Sequence, residues 1–184
     1  MLLMLILLKC NTIISHIPKG SKVYKNWAYR LVLLSISILL FQVAFSQVKA
    51  VQFEQLDSLQ AIEKKPVVVF LHTFWCKYCG TMKNSTLKNR EVISVINDKF
   101  YFVFLDIEEK KPIYFQSHTF HYKPTGVNTG VHELVEQLGT INGSIAYPGL
   151  CILNAANEII YQKEGYISAK ELLVILNKVS KRSF

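Results

Sequence analysis

The sequence predicts an α/β fold in which a small mixed β-sheet carries helices on both faces. Three observations point there. Two short apolar runs, VVVFLH (67–72) and YFVFLDI (101–107), are joined by a crossover with helical spacing. A third run, YPGLCIL (147–153), is followed by a turn and a returning EIIYQKEG (158–165). Amphipathic segments bracket the set, one from Val51 to Ile62 and one from Ser168 onward.

Each element follows from its residues. Val51, Phe53, Leu56, Leu59 and Ile62 recur at mostly three-residue spacing among Gln, Glu and Asp, which predicts a helix. Pro66 then precedes a β-branched run, the mark of a buried strand. After it, Tyr78, Met82 and Leu87 are spaced for one helix face, and Arg90 to Asn97 buries Val92, Ile93, Val95 and Ile96. Strand, helical crossover, strand is a βαβ unit, so the first two strands are expected to be parallel. The charged EEKK (108–111) ends this core. Residues 112–130 read as an insertion, with turn signals at Pro124-Thr125-Gly126 and Asn128-Thr129-Gly130 and a short strand or hairpin around Tyr114 to Tyr122. VHELVEQL (131–138) returns to helical spacing. The third strand and its hairpin follow, and Ser-Ala-Lys-Glu (168–171) forms a capping box for the last helix.

The net charge of +8 suggests nucleic acid until its distribution is considered. Residues 1–46 hold five basic side chains and no acid, whereas the remainder carries 16 basic and 13 acidic residues. That leaves no phosphate-tracking stripe, and no nucleic-acid partner is expected. The front segment instead has the order of a secretory signal. A basic stretch, KGSKVYKNWAYR (19–30), leads into LVLLSISILLFQVAF (31–45), and Ala44-Phe45-Ser46 precedes a cut before Gln47. The apolar run is 15 residues long, short of the ~20 that span a bilayer. The expected division is a signal peptide over 1–46 and one domain over 47–184, placed in the periplasm or otherwise outside the cytoplasm. The alternative is a domain tethered by an uncleaved segment, the only membrane contact expected. MLLMLILL (1–8) ahead of a complete signal implies a long leading region or a start codon further downstream. Cys10, preceded by Lys9, does not fit a lipoprotein cleavage site and is read as incidental.

The chemistry lies in FWCKYCG (74–80). Cys76 and Cys79, two residues apart after a strand and at the start of a helix, allow three readings. A permanent staple is disfavoured because so short a ring removes little chain entropy. A metal site has only two of its ligands in one C-x-x-C, with His72, or His118 and His121, as the candidate additions. The third reading is a redox pair. A helix N-terminus offers unpaired N–H groups and the positive end of a dipole to a thiolate. Moving a thiol from ~8.5 to ~7 corresponds to about 2 kcal/mol and raises the thiolate fraction at neutral pH from a few per cent to about half. No cofactor is needed, because the cysteines carry the electrons.

These residues and the element order resemble the thioredoxin-like superfamily over roughly Phe53 to Val179. More narrowly, WCKYCGTMKNSTLKNREVI (75–93), with Met82, Thr86 and Val92 in place, resembles the C-terminal domain of bacterial thiol:disulfide interchange proteins. The resemblance implies a thioredoxin-like fold and a thiol-disulfide oxidoreductase that reduces substrate disulfides. Cys76 would attack, and the more buried Cys79 would resolve the mixed disulfide. It further implies a cis bond before Pro148 facing the pair, with Trp75, Tyr147 and Pro148 forming the substrate groove. The partners implied are disulfide-containing proteins and a membrane-bound electron donor. The alternatives are an oxidase or isomerase, or a binding or chaperone-like module without redox turnover.

The chain departs from thioredoxin in three places. Phe70 stands where thioredoxin has a buried aspartate, Lys77-Tyr78 replaces its Gly-Pro, and the 112–130 insertion lies outside the minimal fold. Asp106, at the end of the second strand, is a candidate to take the Cys79 proton. Cys151, inside an apolar strand, reads as a buried inert thiol. Glu108 and Glu109 read as a solvated strand end.

Overall fold

A computed structural model describes residues 27, 29–36 and 47–181. It divides into two units, one ending at Phe45 and one beginning at Ser46. In the first, residues 29–36 are helical. Residues 1–26 and 37–46, which include most of the expected signal peptide and its expected cut, lie outside the described residues. Among the described residues no helix is long and apolar enough to cross a membrane.

The second unit opens with α1 (Phe53–Ile62), β1 (Val67–His72), α2 (Lys77–Asn84), a 3-10 turn (Thr86–Lys88), α3 (Arg90–Lys99) and β2 (Tyr101–Asp106). Three small hairpins follow in two groups. β3 (Ile113–Phe115) pairs with β4 (His118–Phe120), and β5 (Tyr122–Pro124) with β6 (Gly130–His132). After α4 (Glu133–Gly139), β7 (Thr140–Ile141) pairs with β8 (Ser144–Ile145). β9 (Gly149–Leu153), β10 (Ile159–Glu164) and α5 (Ala169–Ser180) complete the chain.

The main sheet has the order β10-β9-β1-β2. β1 runs parallel to β2, as the βαβ pattern predicts, with Val67 opposite Tyr101 and His72 opposite Asp106. It runs antiparallel to β9. Every residue of β1 is buried, which is why its sequence shows no polar alternation. Strand alternation sends Val68 and Phe70 to one face, into a core with Cys79, Met82, Val92, Phe102, Ile152 and Leu176 from α2, α3 and α5 among others. Val67, Val69 and Leu71 enter the opposite core with Phe53, Leu56, Leu134 and Leu138 from α1 and α4. The result is an α/β thioredoxin-like fold, a mixed sheet flanked by helices.

Local signals set the boundaries. Asn89 caps α3 by accepting from the N–H groups of Glu91 and Val92, and Ser168 caps α5 by accepting from Glu171 N–H. Two expected face residues are exposed. Ile62, at the end of α1, is exposed, because the helix stops there and the chain turns toward Pro66. Tyr78 also points to solvent, and Cys79 takes the inward position beside Met82.

Gly149 marks a close approach. A Cβ there would stand 2.9 Å from the Ala146 carbonyl and 3.1 Å from the Leu71 side chain, so the start of β9 lies tight against the end of β1. That contact brings the Tyr147-Pro148 loop alongside the segment that leaves β1 for α2.

Candidate functional site

The loop from β1 to α2 is short, Thr73-Phe74-Trp75-Cys76, and Cys76 is the N-cap of α2. Its conformation is extended, and its Sγ accepts from Cys79 N–H at 3.1 Å. Cys76 and Cys79 are joined as a disulfide. The sulfur that would carry negative charge after reduction therefore already faces a backbone donor at a helix N-terminus. Cys79 is the deeper of the two, 1% exposed against 8% for Cys76.

Trp75 is half exposed and held on two sides. Its indole N–H donates to Glu108 Oε2 at 3.1 Å, and its ring meets Tyr147 edge-to-face at 5.1 Å. The Tyr147–Pro148 bond is cis, and the Pro148 carbonyl accepts from Gly165 N–H at 2.8 Å. The five residues singled out from the sequence thus fall on the β1–α2 turn, the first turn of α2 and the loop before β9. With Phe74 and Tyr78, both largely exposed, Trp75 and Tyr147 leave aromatic surface around a small disulfide.

A polar cluster joins His72 and Asp106, both candidates from the sequence, to Lys83, which was not one. His72 Nδ1 is 3.1 Å from Lys83 Nζ, and the His72 ring stacks on Phe70 at 5.7 Å between ring centres. Lys83 Nζ also lies 5.2 Å from the centre of the Phe104 ring. Asp106 faces His72 in the parallel pairing, and its Oδ1 accepts from Glu108 N–H at 3.0 Å. Burial, then the Lys83 charge, pushes His72 below its ordinary pKa, and Asp106 opposes this in part. Burial likewise lowers Lys83. A signal was present: Lys83 stands four residues after Cys79, on the same helical face. Its partner His72 is eleven residues earlier, on another element, and only folding joins them.

The other candidates lie elsewhere. Cys151 is a free, fully buried thiol in β9, pushed up to about 12 by burial. His118 sits exposed in β4 against Phe120, and His121 follows in the next turn. Among the described residues no group of three or more His, Cys, Asp or Glu side chains stands close enough to hold a metal ion. Glu108, expected to be plain solvated strand end, is the acceptor for Trp75.

A family model described as thioredoxin-like matches residues 53–128. No curated protein matches the chain. Among solved structures, a thioredoxin from Thermus thermophilus superposes with a TM-score of 0.53 at 16% identity, covering 74% of this chain and 90% of that one. A thioredoxin-fold protein from Helicobacter pylori gives 0.50 at 19%, covering 74% and 76%. The oxidoreductase DsbH gives 0.50 at 16%, covering 77% and 88%. At these identities the likeness is one of fold.

Proposed function

We propose that this thioredoxin-like chain is an exported thiol-disulfide oxidoreductase that reduces disulfides in protein substrates through Cys76 and Cys79. The observation that carries the reading is the Cys76–Cys79 disulfide on the first turn of α2, with Cys79 N–H directed at Cys76 Sγ. A donor already in place favours the thiolate without reorganisation, and the thiolate is the attacking species. Cys76 attacks the substrate disulfide, and Cys79 then displaces the reduced substrate from the mixed disulfide. Trp75, Tyr147 and Pro148 seat an extended substrate segment beside the pair.

The N-terminal pattern supports an extracytoplasmic, periplasmic location, by release at Gln47 or as a tethered domain. In such a compartment reducing work needs electrons from outside, so a membrane-bound dithiol donor completes the cycle.

The deciding experiment is the reduction potential of the pair, by equilibration against glutathione and dithiothreitol with thiols trapped and counted by mass. A value near −270 mV, roughly that of thioredoxin, fits a reductase, and one near −120 mV, roughly that of a strong oxidant, reverses the direction. A Cys76→Ser protein that retains full activity would falsify the redox reading and leave a binding module built on the same aromatic surface.

A further inference from the structure

Cys79 must lose its proton before it can attack a mixed disulfide, and its surroundings oppose this. The side chain is buried among Phe70, Met82 and Phe102. Similar burial holds the Cys151 thiol up at about 12. No carboxylate lies on that stretch of β1 or α2, and Phe70 shares the buried core with the pair. The charged group on the Cys79 face of α2 is Lys83, four residues on. Helical side chains lean toward the N-terminus, and this one reaches back over Phe104 to His72.

Lys83 is half-buried, and none of the ion pairs among the described residues includes it. Its ammonium donates to the Nδ1 of a neutral His72. His72 is fixed in turn by its stack on Phe70, a member of the Cys79 core. The groups facing this pair are Asp106 on β2, whose charge acts on both, and the Thr73 backbone. A partly desolvated cation without an anion at ion-pair distance, on the face that bears a buried thiol, is arranged for an anion that exists only during turnover.

We propose that Lys83, positioned by His72, is the counter-charge for the Cys79 thiolate at the moment it resolves a mixed disulfide. This rests on the oxidoreductase reading above. In the step, the Cys79 sulfur pair forms the Cys76–Cys79 bond while the bond from Cys76 Sγ to the partner sulfur breaks. The partner leaves as a thiolate and takes from solvent a proton equivalent to the one Cys79 released. The partner is thereby reduced and the cysteine pair oxidised. A cation on the helix face that bears the buried sulfur lowers the cost of that ionisation more than it would in water.

The test uses the full reduced chain carrying Cys10→Ser, so that the pair alone reports, and the chromogenic disulfide dithiobis-nitrobenzoate. Attack by Cys76 releases one coloured thiolate, and resolution by Cys79 releases the second. Lys83→Met slows the second phase about tenfold near neutral pH, the equivalent of one pKa unit. It also moves that phase's pH profile upward and changes the first phase far less. Lys83→Arg restores most of the rate. A second phase unchanged in folded Lys83→Met and Lys83→Gln proteins overturns the proposal. Should neither variant fold, the Cys79 Cβ resonance of the unaltered reduced pair is titrated by carbon NMR. A midpoint at least about one unit below that of Cys151 supports the counter-charge, and coincidence of the two overturns it. If the pair never releases the second equivalent, the oxidoreductase reading fails, and the same titration still decides the role of Lys83.

Discussion

Trp75 and Tyr147 meet edge-to-face, with planes 87° apart, across the junction between the turn that carries Cys76 and the loop that carries Pro148. The contact fixes one side of the indole, and the hydrogen bond to Glu108 fixes the other. Removing the ring in Trp75→Ala forfeits about 1 kcal/mol of aromatic contact together with substrate-facing surface. The expected result is a severalfold rise in KM for protein disulfides, with little change in equilibration against dithiothreitol. Steady-state kinetics on both substrate types checks this.

Breaking the disulfide should leave the fold standing. The ring it closes is so short that the chain-entropy contribution is about 2 kcal/mol. Both cysteines belong to the core around Phe70, Phe102 and Ile152, and serine at each position leaves the many apolar members of that core in place. A Cys76→Ser, Cys79→Ser protein is expected to unfold cooperatively, with a Tm lowered by roughly 5–10 °C. Calorimetry of the two proteins decides.

Acid should weaken the domain through two buried histidines. His72 and His132 are each held below the ordinary imidazole pKa, chiefly by burial. In His132 burial outweighs the hydrogen bond to the Lys111 carbonyl, which alone would raise the value. The His132 Nδ1 accepts from Leu134 N–H as the cap of α4, and its Nε2 donates to the Lys111 carbonyl. A second proton would destroy the cap. With folded values below the unfolded ~6.5, the unfolded chain binds more protons as pH falls. Stability is therefore complete above about pH 6.5 and is lost as pH drops through the folded values, by up to about 1.4 kcal/mol per pH unit for each histidine. Urea midpoints at pH 7.5 and below 6, with a shallower slope in His72→Phe, provide the measurement.

Thr73 offers a gain. Its hydroxyl is buried beneath the turn to Trp75 and has no hydrogen-bond partner in the protein. Thr73→Val keeps the shape and removes the unpaired group, so a stabilisation of about 1 kcal/mol is expected. A higher Tm with an unchanged reduction potential confirms it; a lower Tm means the hydroxyl binds a water.

The sheet and its helices were legible because their signals are local. VVVFLH became β1 residue for residue, and Ser168 became the cap of α5, although the Glu171 side chain pairs with Lys163 rather than closing the capping box. The segment after β2 was read less well. The turn signals suggest a short strand or hairpin around Tyr114 to Tyr122, and the chain builds the β3–β4 hairpin there with Gln116 and Ser117 in left-handed turn positions. The β7–β8 hairpin was missed although Asn142-Gly143, both at positive φ, is a strong two-residue turn signal. Thr140-Ile141 and Ser144-Ile145 are simply too short to show a period of two. Of the site, the cysteines, Trp75 and the Tyr147-Pro148 pair stood out as a pattern. Lys83 and Glu108 did not, since each acquires meaning only through a partner on a different element.

The pairing of β10 with β9 shifts register between Ile159 and Tyr161. β10 is the outermost strand of the sheet on that side, and it begins with two half-exposed isoleucines. An unbroken strand of that kind is a template on which another chain can add. The extra residue interrupts the even row of N–H and C=O groups and bends the strand, and Lys163 and Glu164 place charge at its far end. This small irregularity makes the open border of the sheet a poor nucleus for fibrils.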